Sequence, residues 1–219
     1  MNATLSFWAE SLPSLISGMV VSLEVTAVAL AIGVPLGLVA ALLVQSTVRP
    51  LRWLTLAVVE IGRGAPALIL LQLAYYGLPS SGLQLSSMGS AITALSWTTC
   101  AYTSEIIRAG LQAVPRGQGE AAMTLGLSRL DALRFVIVPQ GMRVAAPALL
   151  GFAILMLQAS SLCFAIALPE LLSKAQLIGT MTFRYMEILL LAALLYAAIC
   201  IPATLLVAAI ERRLGKHAA

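Results

Sequence analysis

From Leu15 to Leu43 the chain carries a single charged side chain, Glu24. Comparable apolar stretches recur over 54–76, 88–107, 144–168 and 187–210. Crossing ~30 Å of hydrocarbon takes about 20 mostly apolar residues as helix, because backbone polar groups must be satisfied within the segment. Each stretch reaches that length. A β-barrel would instead need short strands alternating in polarity. The predicted fold class is therefore an all-α integral membrane protein with five transmembrane helices. Composition agrees, since 10% of residues are charged against about 25% in an ordinary soluble domain. The expected organisation is an outer segment at 1–14, a membrane domain over 15–210 with a polar central loop at 115–140, and a tail at 211–219.

Basic residues set the expected orientation. Residues 1–48 contain no Lys or Arg, so the first span lacks the basic leader of a secretory signal. Arg49 and Arg52 follow span one, and Arg108, Arg116, Arg129, Arg134 and Arg143 crowd the centre. Arg212, Arg213 and Lys216 close the chain, while Lys174 and Arg184 fall on the other side and Arg63 inside span two. The positive-inside rule then predicts an external N-terminus and a cytoplasmic C-terminus. The net charge of +4 follows from this asymmetry and calls for no nucleic-acid partner. Membrane lipid is the expected surrounding.

Cys100, Cys163 and Cys200 lie in apolar stretches and read as small packing residues. His217 is the only histidine, and no His, Cys or carboxylate cluster has metal-ligand spacing. No catalytic constellation emerges. The phosphate cradle G-x-x-x-x-G-K-[ST] is missing from the chain, so no ATP site of that kind is expected on it.

The central stretch "EAAMTLGLSRLDALRFVIVPQ", Glu120 to Gln140, departs from the apolar pattern. Pro115 suits a first helical turn, and Glu120 near that start would complement the helix dipole. Gly126 is the natural left-handed terminator. Ser128 with Asp131 resembles a capping box that opens a second helix, and Pro139 is expected to interrupt the chain before the next span. A helix-Gly-helix corner with about ten residues per arm is too short to span a membrane. Two readings follow: an amphipathic helix lying on headgroups, or a knob inserted into a groove of a soluble partner.

"EAA", then Gly126, then "VIVP" resembles the signature of permease subunits of bacterial ABC importers, with Val136 and Val138 where Ile and Leu are usual. "AYTSEIIRAGLQAVPRGQGEAA", "EIGRGAPALILLQLAYYGLP" and "LPELLSKAQLIGTMTFRYMEILLL" resemble the polar amino-acid subfamily, and the similarity runs from about residue 16 to 213. The resemblance implies a type I ABC importer membrane domain in the bacterial inner membrane, its residues 1–14 periplasmic and its central loop a cytoplasmic coupling helix. It puts the coupling contact on Gly117, Glu120, Ala121, Ala122, Leu125 and Gly126. It also implies the partners: two ATP-binding subunits carrying ATP and Mg, an identical or homologous permease subunit, a periplasmic solute-binding protein and an amino-acid substrate. Import would be by alternating access, of basic or opine-like amino acids, or of glutamine, glutamate or another small polar solute. A membrane scaffold that recruits a soluble partner is the reading from another class. An ion-coupled carrier fits less, because no internal repeat occurs.

Charges inside spans cost roughly 2.5–3.5 kcal/mol on insertion scales, so each asks for a reason. Glu60 with Arg63, and Glu105 with Arg108, stand one turn apart and can pair locally. "GRGAP" is expected to loosen or kink the helix beside Arg63, which leaves pathway lining and structural pairing both open. Gln158, Ser160 and Ser161 form a second polar interruption, read either as helix glue or as a substrate pocket. Members resembling this chain often have a basic residue where Gln158 stands and, in one form, an acid at Ala159. A pocket here is then neutral, displaced to a partner, or absent. With Tyr102, the pathway candidates are Glu60, Arg63, Gln158, Ser160 and Ser161. Gly33 and Gly37 form a G-x-x-x-G read as helix packing. Trp8, Trp53 and Trp97 read as interfacial or packing aromatics.

Overall fold

The computed structural model describes residues 2–215, so Lys216 and His217 lie outside the described residues. The first helix, α1, runs Asn2–Leu43. After a short turn, α2 covers Arg49–Gly64 and α3 covers Ala67–Gln72, followed by a π turn at Leu73–Gly77 and a 3-10 turn at Leu78–Ser81. Helix α4 is Ser87–Gln112, α5 Arg116–Thr124 and α6 Arg129–Ala132. A π turn at Leu133–Ile137 leads into α7, Val138–Ala159, which ends in a 3-10 turn at Ser160–Ile166. Helix α8 is Leu171–Thr182 and α9 Tyr185–Gly215.

The all-helical class holds, and the helices differ in how apolar they are. Among the described residues three helices are long and apolar enough to cross a membrane, or four if the bent α2–α3 pair is one span. Helix α4, expected as a span over 88–107, has the length but not the composition. It sits in the middle of the molecule, packed against α1, α2 and α7, and buries Ser90, Ser96, Thr98, Thr99, Thr103 and Ser104. A helix surrounded by protein can carry hydroxyls that would be costly against lipid. Several helices extend beyond, or stop short of, the apolar stretches. Helix α1 begins at Asn2 rather than near 15, because Phe7, Leu15 and Met19 bury one continuous stripe against Leu171, Ala175 and Ile188. The stretch expected over 144–168 is α-helical only from 138 to 159. In its last turn the Ser160 and Ser161 hydroxyls bond the carbonyls of Leu157 and Gln158, each at 2.7 Å.

The span expected over 54–76 is broken. Between α2 and α3 the axis turns by 105°. Ala65 takes extended backbone (φ −81°, ψ 135°), as the residue before Pro66 must. Close helix contacts rest on glycine, since apolar association in lipid depends on packing and not on hydrophobic driving force. A Cβ at Gly33 or Gly37 would collide with the Thr99 or Thr103 side chain, so the G-x-x-x-G seats α1 on α4. At the other side of α4, a Cβ on Gly110 would stand 2.5 Å from the Gly141 carbonyl of α7.

These crossings bring the ends of α1 and α4 and the starts of α2 and α7 together at the pole that carries α5. Gln45, Arg52, Arg108 and Gln112 line one cavity there. At the opposite pole Arg184 pairs with Glu187 and lies 4.0 Å over the Phe7 ring, while the Trp8 indole donates to the Glu187 carbonyl at 3.1 Å. Trp97 ties α4 to α2 through Val58 O at 3.0 Å, and Trp53 is exposed. Glu24 faces outward from α1.

Candidate functional site

The central stretch forms a corner. Helix α5 ends in a Schellman arrangement: Leu127 N–H bonds Ala122 O at 3.1 Å and Gly126 N–H bonds Met123 O at 3.0 Å. Gly126 sits at φ +85°, where a residue with a Cβ is strained, and no atom lies within 4 Å of a Cβ built there. Conformation alone therefore demands glycine. Ser128 accepts the Asp131 N–H at 3.2 Å and gives its own proton to the Asp131 carboxylate at 2.6 Å. That is half of the expected capping box; the aspartate is spent on the hydroxyl rather than on the Ser128 amide.

Two expectations at this corner need revising. Pro115 stands just outside α5, and Glu120 lies in its second turn, too far in for a strong dipole effect. Pro139 does not interrupt the chain, because α6, the π turn and α7 form one helical run from Arg129 to Ile166. A proline clashes with the carbonyl four residues back. Here that residue is Phe135, inside the widened turn Leu133–Ile137.

The six coupling candidates divide by exposure. Gly117, Glu120, Ala121 and Gly126 are exposed, Leu125 is 84% exposed, and Ala122 is 4% exposed, covered by the chain itself. Ala122 therefore packs inside the corner. Met123 and Leu130 also stand exposed, at 47% and 72%. A Cβ at Gly117 would meet nothing within 4 Å, so no contact inside the chain calls for glycine there. The Gln140 side chain donates to Gln118 at 3.2 Å and fixes α5 to the start of α7. The result is an apolar tip on a hydrogen-bonded base, with Arg116, Arg129 and Arg134 exposed on the flanking helices.

The membrane candidates fall into two separate groups. In one, Arg63 reaches Glu60 at 3.5 Å and Glu105 at 4.0 Å, linking α2 to α4. Arg108 binds Glu105 through two bonds, 3.2 and 2.5 Å, and Gln112 at 3.3 Å. Glu60 and Glu105 open on the 380 Å³ cavity that Arg52 and Arg108 share. The Tyr102 hydroxyl donates to Arg63 O at 3.2 Å, at the α2 break, and its ring stacks on Phe152. The local pairs exist, and Arg63 joins them across helices.

The second group surrounds Gln158. With Ser161 it lines a 470 Å³ cavity against α9, completed by Tyr196 and Cys200 and by apolar Ala193, Ala197 and Ile201. No charged residue lines it. Ser160 is fully buried, bonded to Leu157 O, and stays outside the lining. Tyr196 went unnoticed in the sequence and Cys200 read only as a packing residue, because both sit in a long apolar run; only the packing of α9 on α7 brings them to Gln158.

Comparison with known proteins is consistent throughout. Residues 33–216 match the family described as binding-protein-dependent transport system inner membrane component. The probable amino-acid ABC transporter permease YckA of Bacillus subtilis (strain 168) is 38% identical over 191 residues, 87% of this chain and 84% of the relative. The arginine transport system permease ArtQ of the same organism is 33% identical, covering 99% of this chain and 100% of the relative. A crystal structure of an amino acid ABC transporter with histidines superposes with a TM-score of 0.88 at 36% identity, covering 95% of this chain and 97% of that one. The chain belongs to this family of inner membrane transport components, as a permease subunit of the amino-acid ABC transporter kind.

Proposed function

We propose that this chain is one half of the pathway of an ATP-driven importer for polar amino acids. The observation that carries it is the corner at Gly126, which holds exposed Leu125 and Met123 on a hydrogen-bonded base at one pole. Such a tip fits a groove on an ATP-binding subunit. Glu120, whose carboxylate has no partner among the described residues, would meet a donor there. Two such subunits, carrying ATP and Mg, would act through two coupling corners, the second supplied by an identical or homologous permease subunit. Their closure would open the pathway outward, and hydrolysis would reset it. A solute-binding protein would dock at the pole of Arg184. The gathering of Arg52, Arg108 and Arg116 toward the α5 pole supports a cytoplasmic corner, an external N-terminus and a cytoplasmic C-terminus.

Basic amino acids are the first reading of the substrate, supported by the acids Glu60 and Glu105 at one cavity and by the arginine-transport relative. A second reading, an uncharged polar amino acid such as glutamine, is favoured by the uncharged lining around Gln158 and Ser161. Competition uptake into proteoliposomes with arginine, lysine, glutamine and glutamate separates them: basic competitors block uptake under the first, glutamine under the second. Arg63→Ala is expected to lower uptake by about tenfold with the complex still assembled, since it removes a partly buried ion pair and a candidate pathway contact. Uptake at the wild-type rate would leave Arg63 a structural tie between α2 and α4.

A further inference from the structure

Glu170 has no exposed surface and forms no ion pair among the described residues. Hydrogen-bond donors meet its carboxylate instead. The Leu172 and Ser173 N–H groups of α8 lie at 2.8 and 2.7 Å, the Ser22 hydroxyl of α1 at 3.4 Å and the Tyr196 hydroxyl of α9 at 3.2 Å. Glu170 is thus the N-cap of α8 and the point where three helices meet. Gly18 of α1 backs against it so tightly that a Cβ there would stand 2.9 Å from the Glu170 backbone.

Helix α8 is bracketed by strain. Ala167 before it and Phe183 after it are the two non-glycine residues with positive φ among those described, at 57° and 58°. Each left-handed residue of this kind costs roughly 1–2 kcal/mol. Strain of this kind gathers at elements with more than one arrangement. Phe183 is the left-handed C-cap of α8, its N–H bonding the Gly179 carbonyl at 2.8 Å, and Ala167 caps the 3-10 turn before α8 in the same way, its N–H bonding Phe164 O at 3.1 Å. Tyr196 has a second contact: it also lines the 470 Å³ cavity with Gln158, Ser161 and Cys200. One side chain therefore touches both the cavity and the carboxylate that caps α8.

We infer that Tyr196 is a positioning residue that transmits occupancy of the Gln158 cavity to helix α8 through Glu170. A solute that moves the Tyr196 ring lengthens or restores its bond to Glu170. That changes how firmly α8 is capped, and the left-handed caps on either side mark where α8 begins and ends as a unit. The inference rests on the permease reading above and adds the link between solute and helix.

The test uses the full complex of permease and ATP-binding subunits in proteoliposomes, with Cys100→Ala as background. Two quantities are read: protection of Cys200 from a membrane-permeant maleimide by the strongest competitor of the uptake panel, and the kcat and KM of ATP-driven uptake. In Tyr196→Phe, which keeps the ring and removes the hydroxyl that meets Glu170, Ser22 and Ser160, protection is expected to stay within twofold while kcat falls about tenfold or more with KM unchanged. Glu170→Gln, which keeps an acceptor but weakens the charge-assisted bonds, is expected to lower kcat in the same direction. A Tyr196→Phe complex with wild-type kcat would overturn the link. So would loss of protection together with uptake, which would make Tyr196 a direct solute contact or a merely structural residue. Absence of ATP-driven uptake by the unsubstituted complex would instead remove the permease reading beneath it.

Discussion

Leu125→Asp is expected to abolish ATP-driven uptake while leaving the chain folded in the membrane. Leu125 is 84% exposed and contributes almost nothing to the chain's own core, so its loss has little to unfold. Its cost falls on the partner. Anchors that fill a pocket at the centre of an interface typically contribute at least about 2 kcal/mol, or roughly thirtyfold in affinity. Aspartate adds an unpaired charge in the same groove and raises the loss further. The measurement is co-purification of the ATP-binding subunits with tagged permease, alongside thermal melting of the permease alone. A variant that retains its partners at the wild-type level would place the docking contact elsewhere.

Gly126→Val is the second large effect, and its cause is different. Space is open around Gly126, but φ +85° excludes a β-branched residue more strongly than the ~1–2 kcal/mol charged to an ordinary one. The valine chain escapes by unwinding the last turn of α5, which breaks the Leu127–Ala122 bond and swings Leu125 out of place. Uptake is expected to drop by about tenfold or more, with less loss of partner binding than Leu125→Asp causes. Gly126→Asn supplies the control, because asparagine tolerates the left-handed region. Uptake restored by Asn but not by Val identifies backbone conformation as the requirement. Equal loss in both would point to a glycine needed for close approach of the partner.

The corner was legible in the sequence because its signals are local. A terminating glycine, an N-capping serine and an interruption of the apolar pattern all act within a few residues, and each appears as expected at Gly126 and Ser128. What depends on a helix's surroundings was less legible. Helix α4 read as a span, and its apolar pattern gave no sign that α1 and α7 enclose Thr99, Thr103 and Ser104. Pro139 read as a break, although the π turn before it absorbs the clash. Ala122 is covered by the fold, which its place in the motif does not reveal.

The membrane sites show the same division. Pairing of Glu105 with Arg108 follows from spacing on one helix, and the kink beside Arg63 follows from Pro66. The reach of Arg63 across to Glu105, and the meeting of Gln158 with Tyr196, depend on which helices pack together. No periodicity within one helix encodes that. Glu170 illustrates the limit most clearly. Its four donors come from α1, α8 and α9, so neighbouring residues alone gave no reason to separate it from an ordinary loop acid.

The central claim is that this chain carries amino acids only when an ATP-binding subunit engages its corner. Uptake of a radiolabelled amino acid into proteoliposomes, with ATP supplied on the side of the corner, measures this directly. The account predicts uptake that requires ATP and the ATP-binding subunits, and that Leu125→Asp eliminates. Uptake that continues without ATP under an ion gradient, or that Leu125→Asp leaves intact, would contradict it.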